Sequence, residues 1–440
     1  MTTHNAVVTA SVQVPGPSRR SAYPWIVFAL AFGLLLSDYM SRQVLSAVFP
    51  VLKTEWALSD SHLASLSSVV ALMVGLLTLP LSIVADRWGR VRSLVLMAVL
   101  WSIATLLCAL AANYEQMLAA RFLVGVGEAA YGSVGIALVL SVFAPRLHAT
   151  LSGAFMAGGS FGSVVGVVLG GVIATQLGWR WSFLAMGVFG LLLVAVFRLV
   201  VSERRLAAHR AEKDIEETEP GMSSRRLRAP LSSLYTNPAV LCAYVGGGLQ
   251  MFTAAVMLAW MPSFFNRYHG MATDRAAMAA AGFVLLIGSG MVVCGMITDR
   301  VGRGDVTRKW LAAVAFCTIS LVCLPVGFHL DNGTWASVLI GLGAFFAAGS
   351  SGPTAAMVAS LTHASVRATA MGTLTLSNNL LGLALGPFVV GVLADQVGLL
   401  TALQFAPVMY LPAMAVLLLG RRLHPAGVRR LQTVTAATAS

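Results

Sequence analysis

Long apolar runs alternate with short polar breaks from one end of this chain to the other. A helix rises about 1.5 Å per residue, so roughly 20 apolar residues cross the hydrocarbon core of a bilayer. Twelve such runs are predicted, at 23–50, 62–85, 93–112, 115–144, 151–177, 181–201, 238–264, 276–298, 310–330, 335–361, 369–394 and 400–420. The longest polar interruption falls at 202–235, midway along the 440 residues. The pattern predicts an all-α membrane protein: a tail over 1–22, a six-helix bundle over 23–201, a linker over 202–235, a second six-helix bundle over 236–420 and a tail over 421–440.

A repeated loop supports two related halves. Ala85-Asp86-Arg87-Trp88-Gly89-Arg90 follows the second run, and Thr298-Asp299-Arg300-Val301-Gly302-Arg303 follows the eighth, close to half the chain length later. Duplicated helical halves are how many secondary transporters are built. Composition agrees, because 58% hydrophobic and 10% charged residues, with a mean hydropathy of +0.82, leave too little polar surface to coat a soluble globule.

Charge sets the expected orientation. Of the 29 Lys and Arg, only Lys53, Arg180, Arg267 and Arg275 fall on the side away from the termini, and Arg42 and Arg121 fall inside spans. The rest lie with both termini and the linker, which the positive-inside rule places in the cytoplasm of a cell with this protein in its inner (plasma) membrane. The net charge of +12 is then a topological signal, and nucleic acid is not an expected partner. The first apolar run is too long for a cleavable signal peptide, and residues 1–22 read as a disordered tail. The linker, with Glu212, Lys213, Asp214, Glu216 and Glu217, reads as a solvated, partly helical connector.

Charges inside spans carry the functional signal, since each costs about 2.5–3.5 kcal/mol at the bilayer centre unless paired or wet. Asp38 and Arg42 stand four apart on the first span, and Arg121 and Glu128 seven apart on the fourth, so each pair shares a helical face. Both acids fall near mid-span, with both arginines on the outer side of them. A carboxylate that handles protons beside guanidinium groups that hold an anion fits this placement, and so do two ion pairs that only fasten helices. Gly125, Gly127, Ala129 and Ala130 surround Glu128 with small side chains, leaving a cavity or a close helix approach. Tyr39, Tyr131, Tyr244, Gln250, Asn378 and Asn379 are further candidates to line a central cavity, whereas Trp260 reads as an interfacial residue.

Other chemistry is not expected. Cys108, Cys242, Cys294, Cys317 and Cys323 sit in apolar runs without metal or redox spacing, and read as packing residues. No phosphate-cradling Gly-x-x-x-x-Gly-Lys loop, metal cluster, cofactor site or soluble catalytic domain is legible, which argues against an enzyme or an ATP-driven pump. His148, His363 and His424 lie at span ends and read as solvated. Gly158, Gly162, Gly166 and Gly170 recur every four residues as a smooth ridge on the fifth span.

Asp86-Arg87-Trp88-Gly89-Arg90-Val91-Arg92 resembles the loop signature of the major facilitator superfamily, with Gly295 to Arg303 as a weaker copy, and Ser82 stands where that pattern usually starts with Gly. The resemblance implies two six-helix bundles and a rocker-switch cycle, with Asp86, Arg87, Gly89, Arg90, Asp299, Arg300, Gly302 and Arg303 as gating residues and Asp86 capping the eleventh helix near Thr369. Arg121-Phe122-Leu123-Val124-Gly125-Val126-Gly127-Glu128-Ala129 resembles the fourth-helix motif of the anion:cation symporters and spinster-like lipid transporters. Asp38-Tyr39-Met40-Ser41-Arg42 resembles their first-helix Asn-Tyr-x-Asp-Arg motif, with Ser41 where the acid belongs and Asp38 one turn away. The resemblance implies proton coupling at Glu128 and anion binding at Arg42 and leaves open whether Asp38 replaces the missing acid, while Arg121 is a second anion-binding candidate by its placement in the span. The expected protein is a monomeric carrier that takes up a small organic carboxylate with protons. An exporter of lysolipids or amphiphiles and a non-transporting membrane sensor stand as alternatives.

Overall fold

The structure is a computed structural model that describes residues 22–143, 147–203, 205–206, 233–330 and 333–437, with the side chain of Asp86 outside that set. The tail expected over 1–21 and most of the linker lie outside the described residues. Among the described residues, twelve helices are long and apolar enough to cross a membrane. The first half holds α1 (Tyr23–Glu55), α2 (Asp60–Ala85), α3 (Arg90–Leu110), α4 (Tyr114–Leu140), α5 (Thr150–Gln176) and α6 (Trp179–Val200). The second holds α7 (Pro238–His269), α8 (Thr273–Val301), α9 (Arg308–His329), α10 (Thr334–Leu361), α11 (Thr369–Val397) and α12 (Leu399–Ala436). We call the membrane face where α1 begins and α12 ends the near face, and the other the far face.

Local chemistry starts and stops these helices. Ser59 caps α2 by accepting from the backbone N–H of His62, and Asn113 caps α4 by accepting from that of Gln116. Pro24 and Pro238 open α1 and α7, where a missing N–H costs nothing. The α5–α6 and α11–α12 corners each turn on a glycine of positive φ, Gly178 at +97° and Gly398 at +84°, so the two halves repeat the same tight corner. The last helix runs well past the expected end at 420. Its extension is tied to the start of α7, where Asn237 Nδ2 donates to the carbonyl of Gly427 (3.2 Å) and Arg430 donates to that of Thr236.

The fourth helix of each half is broken at mid-membrane. Helix α4 leaves helical geometry at Ala129–Ala130, directly after Glu128, and α10 does so at Ala348–Ser350. Freed carbonyls find partners within the bundles: Thr78 Oγ1 donates to Ala129 O at 2.6 Å, and Tyr410 Oη (3.0 Å) and Gln250 Nε2 both donate to Ala347 O. Irregular backbone survives at membrane depth only when satisfied in this way. Helix α11 also departs from α geometry, with a π segment over Asn378–Ala384.

The far face is sealed, and among the described residues no buried apolar core joins the halves toward the near face. One apolar core joins both halves toward the far side, from Val44, Phe49 and Leu63 to Trp260, Ala277 and Leu399, and the rings of Phe49 and Trp260 lie 5.5 Å apart across it. Toward the near side the halves keep separate cores, one around Trp101, Tyr131 and Phe155 and the other around Tyr244, Trp310 and Tyr410. The far seal is also polar: Arg267 of α7 grips Asp60 of α2 with two bonds (2.6 and 2.9 Å), Lys53 adds a third (2.6 Å), and Asp395 of α11 accepts from the backbone N–H groups of Asp60 (2.6 Å) and Ser61 (2.9 Å). A carboxylate on a helix N-terminus is worth roughly 0.5–2 kcal/mol. We therefore expect Asp395→Asn to raise the far-open population several-fold, read as a longer distance between spin labels at Thr54 and Gln396; an unchanged distribution would mean that Phe49 and Trp260 seal this face alone.

Candidate functional site

Helices α1 and α4 bring the four buried charges together, in a pairing that crosses between helices. Arg42 Nε donates its one N–H to Glu128 Oε2 at 2.6 Å and stands 3.5 Å from Asp38 Oδ1, a charge contact that leaves this buried oxygen without a hydrogen bond to a described residue. Ser41 Oγ donates to Glu128 Oε1 at 3.0 Å and to the carbonyl of Asp38 at 2.7 Å. The hydroxyl at Ser41 thus occupies the space beside Glu128, and the carboxyl of Asp38 reaches the same guanidinium from one turn below. The Glu128 side chain has no exposed surface, whereas that of Arg42 is 19% exposed.

Arg121 shares a helix face with Glu128 but does not pair with it. Its Nε donates to the carbonyl of Leu66 (3.2 Å) and its Nη1 to that of Ser41 (3.1 Å). The within-helix ion pair that spacing allowed on α4 is therefore replaced by a bridge from Arg121 to the backbones of α2 and α1. The small residues around Glu128 serve close approach rather than empty space: a Cβ on Gly125 would lie 2.9 Å from Val70 Cα, and one on Gly127 would lie 2.6 Å from Trp101 N. The α5 ridge does the same toward α1, where a Cβ on Gly166 would meet Met40 Cα at 2.7 Å.

A cavity of about 130 Å³ opens between the halves at this level. Tyr39, Arg42, Gln43, Ser67, Arg121 and Ser163 form its polar wall, with Val70 and Ala71 beside them. Ala255, Leu258 and Ala259 of α7 and Leu383 and Pro387 of α11 form the opposite wall. The Tyr39 ring lies 5.4 Å from the Arg42 guanidinium carbon. Neither terminal nitrogen of Arg42, nor Nη2 of Arg121, hydrogen-bonds to a described residue, so both guanidinium groups keep donors free. Free, forked N–H donors beside a cavity are suited to a carboxylate.

Other candidates from the sequence sit elsewhere. Tyr131 is fully buried behind the site, its hydroxyl on the carbonyl of Ala31 (2.8 Å) and its ring edge-on to Trp101. Asn379 donates to the carbonyl of Thr375 (2.9 Å) and packs toward Gly75, while Asn378 Oδ1 faces Gly247; neither lines the cavity. Gln250 is used on the α10 break, and Tyr244 belongs to the near core of the second half. Trp260 is an internal residue rather than an interfacial one, fully buried and donating to the carbonyl of Pro387 (3.2 Å). His424 is buried and accepts from Trp310 rather than standing in solvent. Gln43, Ser67, Ser163, Leu258 and Leu383 line the cavity without a signal in the sequence, because no motif or in-span charge marks an uncharged side chain that only the packing of the helices turns toward it.

The two loop copies differ. Arg87 is exposed, Gly89 has φ of +102°, Arg90 donates to the carbonyl of Ala137 (3.3 Å), and Glu203 accepts from the N–H of Val91 (2.8 Å) at the start of α3. The cap expected from Asp86 onto α11 lies outside the described residues, although α2 and α11 meet nearby, where a Cβ on Gly372 would lie 2.8 Å from Leu79 Cδ2. In the second copy Lys309 pairs with Asp299 (3.2 Å), Gly302 holds a right-handed φ of −78°, and Arg300 and Arg303 are exposed. Ser82 donates to the carbonyl of Thr78 (2.6 Å) and meets the hydroxyl of Ser133 on α4 (2.8 Å), so α2 and α4 stay together there without a glycine.

Twelve membrane-length helices in two bundles, with a charged cavity between them and one face closed, define a secondary transporter rather than an enzyme. The family model described as Major Facilitator Superfamily matches residues 31–380, and the chain belongs to that superfamily. It is 29% identical over 381 residues to a probable 4-methylmuconolactone transporter of Cupriavidus pinatubonensis, covering 83% of each chain. It is 25% identical to a probable L-galactonate transporter of Escherichia coli, over 72% of this chain and 71% of the relative. Its fold is similar to that of a bacterial homologue of the lysosomal transporter Spinster, solved facing inward and unoccupied, with a TM-score of 0.76 and 19% identity over 94% of this chain and 99% of that one.

Removing one member of a buried ion pair costs about 3–5 kcal/mol, because the other charge is left uncompensated. We expect Arg42→Met to destabilise the protein on that scale, and Arg42→Met with Glu128→Gln to recover most of the loss, measured as a double-mutant cycle of unfolding in detergent. Additive losses would show that Arg42 and Glu128 do not act as a pair.

Proposed function

We propose that this transporter carries a small organic anion together with protons by alternating access, with the near face toward the cytoplasm. The observation that carries the reading is the 2.6 Å bond between Arg42 and Glu128 at the wall of the cavity. While Glu128 is ionised it neutralises Arg42, which then has little attraction left for an incoming carboxylate. Protonation of Glu128 releases that charge, and the anion takes the place of the glutamate on the guanidinium. Anion and proton thus favour one another's binding, as linkage requires. Asp38, on the same nitrogen, is the second acid that stands to take part, and Arg121 supplies the second positive charge.

Uptake follows from the same exchange. A carrier loaded with both closes around a neutral site, whereas one that lost only the proton holds an unpaired anion and must release it before resetting. The relatives named for a muconolactone and for galactonate are consistent with an acidic cargo. Family membership counts against a sensor that transports nothing.

The reading is tested in proteoliposomes by following lumen pH after membrane-impermeant organic anions are added outside. We expect the wild type to acidify the lumen, faster as the outside pH falls, and Glu128→Gln to abolish acidification while still exchanging anion for anion. Unchanged acidification by Glu128→Gln would refute the coupling role.

A further inference from the structure

We infer that the site takes a compact monocarboxylate whose body is a single apolar ring, and that Leu258 and Leu383 set this choice against polyhydroxylated acids. The inference rests on the reading above, that Arg42 holds the anion.

Charge comes first. Asp38, Glu128, Arg42 and Arg121 sum to zero when both acids are ionised, so one bound proton leaves a single positive charge. One carboxylate balances it, whereas a dianion is balanced only when Asp38 and Glu128 are both protonated.

Size and lining then define the body. An apolar cavity of about 150 Å³ in a protein interior holds one benzene. The space here is about 130 Å³, slightly less than that, so it seats a body of no more than about one ring. Its polar atoms belong to the first half. The second half offers no hydrogen-bonding side chain to the wall, only Ala255, Leu258, Ala259, Leu383 and Pro387.

The second-half amides stand away from the cavity: Gln250 Nε2 donates to the carbonyl of Ala347 and Asn379 Nδ2 to that of Thr375, while their oxygens and Asn378 Oδ1 are buried without a partner among the described residues and none of the three lines the wall. Tyr39, Gln43, Ser67 and Ser163 can meet hydroxyls on the first-half side, but those that a sugar acid turns toward the second half press against aliphatic carbon without partners. Even a wholly apolar pocket rejects an added hydroxyl by only about a hundredfold, so a wall aliphatic on one side gives discrimination on the order of tenfold.

The test is equilibrium binding of radiolabelled benzoate to the purified full-length protein in detergent, where no gradient or membrane permeation enters. We expect unlabelled benzoate and cyclohexanecarboxylate to displace it at concentrations at least tenfold below gluconate. Leu258→Gln and Leu383→Asn should each narrow that ratio, and Arg42→Met should abolish binding of every anion. Gluconate that competes as well as benzoate, with dependence on Arg42, would overturn the ring-acid assignment and leave the anion-carrier reading standing. Absence of any binding that depends on Arg42 would overturn both. Leucine variants that fold normally, by their unfolding temperature, yet leave the ratio unchanged would remove the role of the aliphatic wall.

Discussion

A guanidinium in the middle of a bilayer has to keep an anion at hand, and in this protein that requirement organises the first half. Arg42 leans on Glu128 from across a helix interface, with Asp38 behind it and Ser41 bridging. Bringing α4 near enough to α2 and α3 to place Glu128 there demands glycine at 125 and 127, since any larger residue would strike backbone. Bringing α5 against α1 on the other side demands the ridge from Gly158 to Gly170. Arg121, left without a carboxylate, stays buried only because two backbone carbonyls receive it. Small residues, broken backbone and hydroxyl bridges in this region all accommodate one ion pair.

The halves repeat a scaffold and divide the chemistry. Both interrupt their fourth helix at mid-membrane and both cover the exposed carbonyl from a neighbouring helix, with Thr78 in one case and Tyr410 with Gln250 in the other. In the first half the interruption follows a carboxylate; in the second the same position is neutral and its polar side chains are consumed in repair of the backbone. The cavity between them is accordingly two-faced, charged on one side and aliphatic on the other.

Opposite ends of α2 and α11 mark the two faces of the cycle. At the far end Asp395 of α11 caps the start of α2, and Arg267 and Lys53 converge on Asp60 beside it. These contacts are short but partly exposed, a combination that holds a face closed without making it permanent. The apolar contact of Phe49 with Trp260 lies deeper and completes the closure. Toward the near face the described residues form a separate core in each half, and α2 and α11 meet where Gly372 approaches Leu79.

Much was legible in the sequence because a bilayer imposes a long apolar repeat and taxes every charge that interrupts it. Twelve spans, two halves and the placing of Asp38, Arg42, Arg121 and Glu128 inside them follow from that one-dimensional rule. Helical periodicity also places residues on a common face, but it cannot say which helix that face meets. The partner of Glu128 proved to be Arg42 on another helix rather than Arg121 on its own, and Tyr131, Asn378 and Trp260 turned into packing instead of toward the cavity. The aliphatic wall of Leu258 and Leu383 was invisible for the same reason: an apolar residue in an apolar helix carries no signal until its neighbours are known. Sequence alone determined the spans and the charges they contain. Tertiary structure decided which charges meet and which surfaces face the space between the halves, because both depend on distances between helices remote in the chain.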